Sequence, residues 1–339
     1  MDLNIVWFLL IGLFIIVYAI LDGYDLGVGF LHLFARDEHE RRVNMSAIGP
    51  LWDGNEVWLI AGGGSLFAVF PVVYATVLSA FYILFFLLLF SLIFRAISIE
   101  FRNKVISESW KRFWDWGFGV GSLSAALVFG IMLGNVLQGL PVNEEHLVVV
   151  QSLPLFNAYS VFIGVLVLTL FTMHGASYMT LKADDLYLRR VKKYLFTACV
   201  VFIILYAVAV AVTVYTLPVM FENLLNRPLS IPIAIINLAA LIYIPFANRR
   251  GRYGRAFSAS AVFIASTLGL LGLSLFPDML RSTINPLYSL TAYNASAGPY
   301  TLNVMLIIAL IALPVITVYA VFINRVFKGK VVLHEEGYE

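Results

Sequence analysis

Charge is scarce in this chain of 339 residues: 12% are Asp, Glu, Lys or Arg, against 61% that are hydrophobic. Soluble domains average about 25% charged and about 45–50% apolar, so one aqueous core could not hide this much apolar surface. Cysteine is nearly absent. The lone Cys199 lies inside an apolar run, which excludes a disulfide framework and any Cys-built zinc or iron–sulfur site. The N-terminus, Met1-Asp2-Leu3-Asn4, lacks the basic stretch of a secretion signal, and no small-residue cleavage site follows its apolar run. That run therefore reads as a retained helix. Long polar connections are missing too, so no soluble domain is expected to hang from the apolar runs. Nucleotide-binding glycine motifs are incomplete: Gly62-Gly63-Gly64-Ser65 has no following Lys, and Gly27-Val28-Gly29 has no third glycine. Both read better as sites of close helix approach, as Gly23 and Gly27 at i and i+4 would be.

What the chain has in quantity is long apolar runs. A spanning helix needs about 20 mostly apolar residues, and that criterion finds about nine segments, at 4–34, 52–71, 74–100, 114–138, 154–177, 194–217, 229–247, 255–276 and 299–324. The expected fold is all-α and polytopic, a single transmembrane domain over 1–339 in two helix bundles, roughly 1–140 and 150–330. The segment at 52–71 is the weakest, because Gly54 and Gly62 to Gly64 interrupt it and Pro50 precedes it.

The basic residues test this division. All 22 Lys and Arg except Arg95, Arg227 and Arg281 fall in the connections after the first, third, fifth and seventh segments, or in the C-terminal tail. The positive-inside rule then puts the N-terminus outside and the C-terminus in the cytoplasm. One missed or invented helix would have scrambled the alternation. Asn294-Ala295-Ser296 matches a glycosylation pattern, but so short a match carries no weight.

An ionisable residue within lipid costs about 2.5–3.5 kcal/mol at a helix centre on insertion scales. Asp22, Asp25, Asp53, Glu56 and Arg95 all fall inside apolar segments, and Glu100 lies at a helix end. At 1.5 Å per residue, Asp25 and Asp53 each lie up to roughly 16 Å from the flanking Arg36 and Arg42. The acids thus gather in the cytoplasmic half of three consecutive helices, and Asp22 and Asp25 share a helix face. Two readings stand: Arg95 pairs with an acid while the others cap helices, or the group conducts protons from the cytoplasm.

Axial haem ligands are usually His or Met from within helices. His39, His146 and His334 fall in loops or the tail, leaving His32 and His174 near helix ends; Met132, Met173 and Met305 read as packing. Nothing argues for a haem held by this chain alone. Trp110, Trp114 and Trp116 read as interfacial anchors, whereas Trp52 and Trp58 flank the intramembrane Asp53 and suit a partner contact or pathway equally.

Leu21-Asp22-Gly23-Tyr24-Asp25-Leu26-Gly27-Val28-Gly29, followed by Pro50-Leu51-Trp52-Asp53-Gly54-Asn55-Glu56-Val57-Trp58-Leu59, resembles the paired N-terminal motifs of cytochrome bd-type quinol oxidase subunit II. Phe94-Arg95, Trp114-Asp115-Trp116-Gly117, Gly134 to Gly139 with Pro141, and Thr301-Leu302-Asn303-Val304-Met305 follow in family order. The chain departs from some relatives in a short outside segment before the seventh helix and in Ala96, where they have proline.

The resemblance implies a quinol:dioxygen oxidoreductase of an aerobic respiratory chain in a bacterial cytoplasmic membrane. Its haem b, haem d and quinol site belong to a partner, subunit I. Small single-helix subunits, membrane lipid and quinone are further implied partners, and nucleic acid is not. Subunit II would itself be non-catalytic, stabilising subunit I and contributing a cytoplasmic proton route and part of an apolar O2 approach. By the same resemblance, Asp53 and Glu100 match acids of the proton route, with Asp25 a candidate third member; Asp22 and Glu56 join them as candidates by their depth in the apolar segments. Trp58, with Trp52, matches the O2 entrance, and Arg95 matches an arginine near the subunit contact. The competing class is a proton-coupled secondary transporter or channel, against which stands the absence of an inverted repeat with paired broken helices.

Overall fold

A computed structural model describes residues 2–149 and 153–333. Among the described residues the regular structure is helical apart from one short antiparallel strand pair and isolated bridges. In order it forms α1 (Leu3–His32), α2 (Glu38–Ile48), α3 (Trp52–Val69), α4 (Pro71–Ala80), α5 (Tyr82–Phe101), α6 (Glu108–Gln138), α7 (Ala158–Lys182) and α8 (Asp185–Thr216). Then follow α9 (Pro218–Leu225), α10 (Ser230–Arg249), α11 (Tyr253–Leu275), the antiparallel pair β1 (Asp278–Leu280) and β2 (Leu290–Thr291), and α12 (Pro299–Val326). Among the described residues eight helices are long and apolar enough to cross a bilayer, and the bent pair α3–α4 supplies a candidate ninth. This is a multi-pass membrane protein.

Two details depart from the sequence expectation. The run at 74–100 is not one helix: α4 ends at Ala80 and α5 begins at Tyr82. Moreover, α3 and α4 meet at an angle of 119°. Pro71 explains the corner. It opens α4, where its missing N–H is not needed, and it could not continue α3 without breaking the hydrogen-bond ladder. The connection after α1, expected as a plain loop, folds into the polar helix α2, whose N-cap Asp37 accepts from the Glu40 amide at 2.9 Å. His39 therefore lies on a helix rather than in a loop, its Nε2 2.6 Å from Asp184 Oδ2. His334 lies outside the described residues.

The core is a crossing of α1 and α7 in backbone contact. A Cβ on Gly27 would fall 1.9 Å from the Phe171 carbonyl oxygen, and one on Gly175 would fall 2.6 Å from the Val28 nitrogen. Small residues are what let two helices approach this closely in lipid, where no hydrophobic driving force pushes them together. Around this crossing, α1 also packs on α3, α6 and α11, and α6 packs along α5 and α7. By contrast α12 touches mainly α3 and α1 and exposes Ile307, Leu310, Ile311, Val315 and Val318.

At the end away from the basic residues, two connections knit into a cap. The Leu140 amide donates to the Arg281 carbonyl at 2.9 Å, the Thr283 amide to the Leu140 carbonyl at 2.9 Å, and the Ala297 amide to the Val69 carbonyl at 2.7 Å. Arg281 also donates through Nη2 to the Leu137 carbonyl at 2.6 Å, satisfying an orphan acceptor at the end of α6.

Candidate functional site

Buried charge concentrates where α1, α3 and α5 meet. Asp22, Asp25 and Arg95 are all 0% exposed. Arg95, near the middle of α5, points Nη1 at Asp22 Oδ1 at 2.7 Å and Nη2 at Glu56 Oε1, so one guanidinium bridges α1 and α3. The Tyr18 hydroxyl, one turn before Asp22, donates to its other oxygen at 2.7 Å. Asp22 thus meets a full positive charge and a hydroxyl together, the arrangement that makes burying an ion pair tolerable.

Asp25, one turn further along α1, is differently placed. The amide of Asn55 on α3 donates to its Oδ2 at 2.8 Å and also lies 2.8 Å from the Tyr24 hydroxyl. Asp25 Oδ1 has no partner among the described residues. A buried oxygen of this kind is an exception in folded proteins and points to a bound water or a transferable proton.

Toward the basic end, a second set lies two turns on from the first. Arg102, the C-cap of α5, follows Arg95 by seven residues, and His32 follows Asp25 by seven on α1, so the second set lies about two turns beyond the first. Arg102 is fully buried, donating through Nε to Asp115 Oδ1 at 2.5 Å and through Nη2 to Glu38 Oε2 at 2.7 Å. His32 Nε2 lies 2.8 Å from Asp115 Oδ1, and Arg41 Nη1 lies 3.2 Å from Asp115 Oδ2. Glu38 lies outside the spanning helices. Partial burial pushes its carboxyl up, but the Arg102 hydrogen bonds and charge outweigh that and hold it below the ordinary carboxylate range.

The residues singled out from the sequence therefore divide. Asp22, Asp25, Glu56 and Arg95 come together in the interior. Asp53, in the first turn of α3, and Glu100, near the end of α5, lie on exposed surface instead. Tyr319 of α12, not open space, stands against Gly54, where a Cβ would be 3.0 Å from its ring. Trp58 is buried beside Phe14, at 6.2 Å between ring centroids, with its indole N–H unpartnered among the described residues. Trp52 is half-buried. Tyr18, Tyr24, Asn55, His32, Arg102 and Asp115 were not singled out as site residues. The seven-residue recurrence Tyr18, Asp25, His32 on α1, and Arg95 to Arg102 at the end of α5, is a signal for three of them; Tyr24, Asn55 and Asp115 lie outside it.

The histidines inside the helices are committed elsewhere. His174 Nε2 faces the Ile20 carbonyl at 2.9 Å and Nδ1 the Ser260 hydroxyl at 2.7 Å, while its ring stacks on Phe257. A cavity of about 510 Å³ between α1 and α6–α11 has no histidine among its lining residues, so it offers no imidazole as an axial haem ligand.

The whole bundle matches a known family. The model for "Cytochrome bd terminal oxidase subunit II" matches residues 3–327. The cytochrome bd ubiquinol oxidase subunit 2 of Bacillus subtilis strain 168 is 35% identical over 332 residues, covering 97% of each chain. The cytochrome bd-I ubiquinol oxidase subunit 2 of Escherichia coli K12 is 32% identical, covering 94% of this chain and 92% of that one. Among solved structures, a chain of the bd oxidase from Geobacillus thermodenitrificans superposes with a TM-score of 0.80 over 96% of this chain and 99% of its own, at 18% identity, which speaks for the fold. With motifs, fold and near full-length identity in agreement, the chain belongs to the cytochrome bd terminal oxidase subunit II family.

Proposed function

We propose that this chain is the non-haem subunit of a quinol-oxidising, O2-reducing complex in a bacterial cytoplasmic membrane, and that it supplies protons from the basic, cytoplasmic end. Haem b, haem d and the quinol site lie in the partner, subunit I, with small single-helix subunits, membrane lipid and quinone as further neighbours. The chain is one transmembrane domain, its N-terminus outside and its C-terminus cytoplasmic. In the complex the haems supply the electron transfer to dioxygen, and the residues here bind, hold or move protons.

One observation carries the reading: a carboxylate ladder in which each acid has a distinct state of engagement. Asp22 is locked by Arg95 and Tyr18 and serves as a fixed counter-charge. Asp25 keeps one oxygen free. Glu56 lies between Arg95 and the surface, one turn from Asp53 on the same helix. Asp53 and Glu100 stand on exposed faces, where a partner subunit would cover them and receive a proton. Converting O2 to water consumes four protons with four electrons, and taking those protons from the cytoplasm builds a membrane gradient. A carboxylate relays only if it can lose and regain its proton, and the free oxygen of Asp25 and the exposed position of Asp53 suit that role better than the doubly engaged Asp22. Trp58 and Trp52 suit the apolar approach of O2 or the subunit contact, whereas Arg95, enclosed by Asp22 and Glu56, would bear on that contact only through its carboxylate partners.

The test is purification of the complex through a tag on this chain. A second large subunit should co-purify, with haem absorbance and quinol-dependent O2 uptake. A colourless preparation that moves protons against a solute gradient would overturn the reading.

A further inference from the structure

Between Glu222 and Asp278 the chain has no acidic residue, yet Arg249, Arg250, Arg252 and Arg255 crowd the turn from α10 to α11. Elsewhere at the basic end, acidic residues are interspersed with the cations and several of them pair. Arg41 and Arg102 pair with Asp115, Arg190 with Glu40, and Lys330 with Asp185. The arginines of this turn, and the adjacent Lys192 of α8, form no ion pair among the described residues. Asp185, which feels the charge of Lys192, is already engaged by Lys330 at 2.6 Å.

These cations are nevertheless held in place. The Arg250 guanidinium lies 4.0 Å from the centre of the Phe246 ring, Arg249 lies 5.3 Å from that of Phe196, and the Lys192 ammonium lies 5.0 Å from that of Tyr253. Stacking on aromatic faces orients a cation without cancelling its charge. The Arg249–Phe196 contact also brings the end of α10 against α8.

From each of those two rings an exposed apolar stripe runs into the bilayer. On α10 it is Phe246, Ile242, Leu238 and Ile235, and on α8 it is Phe196, Val200, Ile203 and Ile204, both at helical spacing. Positive charge at the membrane surface, joined to apolar stripes at the depth of acyl chains, is complementary to one kind of molecule. We propose that the α10–α11 turn and the adjoining end of α8 bind the phosphodiester headgroup of an anionic phospholipid, its acyl chains lying along the two stripes. Arginine suits that headgroup because its fork donates two parallel hydrogen bonds to phosphate oxygens.

The test uses the purified complex, stripped of lipid and titrated with phosphatidylglycerol in mixed micelles, with retained lipid counted by native mass spectrometry. The triple variant Arg249→Gln, Arg250→Gln, Arg252→Gln should bind phosphatidylglycerol about tenfold to a hundredfold more weakly, taking the surface attraction per basic residue. Phosphatidylcholine retention should not change. A control triple, Arg36→Gln, Lys104→Gln, Arg112→Gln, removes as much charge from the same end and should keep wild-type affinity. Equal affinity of the first triple and the wild type overturns the proposal, as does displacement of the lipid by inorganic phosphate, which would assign the site to a free anion. With the unaltered complex, a photoactivatable phosphatidylglycerol should label 192–204 and 235–255 above all other spans. Labelling spread evenly over the helices overturns the proposal even where the triple variant fails to assemble.

Discussion

Arg95 and Asp53 sit about as far apart chemically as two charged residues on neighbouring helices can. Arg95 is sealed between two carboxylates, so removing it strands Asp22 as a buried unpaired anion. Breaking such a pair costs about 3–5 kcal/mol. Arg95→Gln should therefore reduce the amount of complex recovered from membranes, and adding Asp22→Asn should restore much of it. Equal losses in the single and double variants, measured by immunoblot of the solubilised complex, would show that the pair is not what Arg95 secures. Asp53 makes no ion pair among the described residues and lies exposed on the isolated chain. Asp53→Asn should slow steady-state O2 reduction while leaving haem spectra and assembly nearly intact. Asp53→Glu should retain much more activity, because a titratable group survives. Full turnover in an assembled Asp53→Asn complex would shift the proton route to Glu100 and Asp25. At this scale the sequence was informative about depth and silent about company. Asp22, Asp25, Glu56 and Arg95 were legible as charges in apolar runs, but nothing in one dimension distinguishes the locked Asp22 from Asp25 with its free oxygen.

Among the elements, the α1–α7 crossing depends on two positions where backbone meets backbone. A methyl on Gly175 would lie 2.6 Å from the Val28 nitrogen, and neither partner can rotate away. Gly175→Ala should lower the melting temperature of the complex, since overpacking typically costs about 1–3 kcal/mol. Gly63→Ala, where nothing lies within 4 Å, should leave it unchanged. The helix α2 is fastened differently, through Glu38 on Arg102 and the Asp37 cap. Glu38 has its carboxyl held below the usual range, so its contribution is complete above the unfolded-state pKa of about 4.3. That contribution is lost as pH falls through the lower folded value. Protection of the amides over 38–48, taken relative to their intrinsic exchange rate, should therefore fall selectively in acid, and Glu38→Gln should show the reduced protection already at neutral pH. The spans were legible because about 20 apolar residues are required wherever a helix crosses lipid. The break at Phe81 was not, because the residues on both sides are equally apolar and the interruption is a matter of packing. Nor was α2, whose polar helix is stabilised by Arg102 at the end of α5 and Arg190 of α8, which are far away in sequence.

For the whole molecule, the alternation of basic connections leads to a definite orientation. Reporter fusions after residues 36, 104, 190 and 252 should read cytoplasmic, and those after 146, 224 and 285 external. A cytoplasmic signal at 146 or 285 would sink the nine-span arrangement. Expressed without its partner, the chain should carry no stoichiometric haem, because both ring nitrogens of His174 are engaged and His32, with Nε2 taken by Asp115, leaves only its buried Nδ1 unpartnered among the described residues. Haem retained by the isolated chain and lost on changing either histidine would refute that. Composition alone determined that the protein lives in lipid, since 61% hydrophobic residues cannot be buried in a single aqueous core. The motifs from Leu21 to Leu59 pointed to the family, because their residues are specific in type and order. Only the tertiary structure decided which acids are interior and which face outward. That choice depends on how α1, α3 and α5 rotate about their axes to satisfy Arg95. A helix in lipid can bury any face that finds a partner, so its rotation is set by its neighbours rather than by its own sequence.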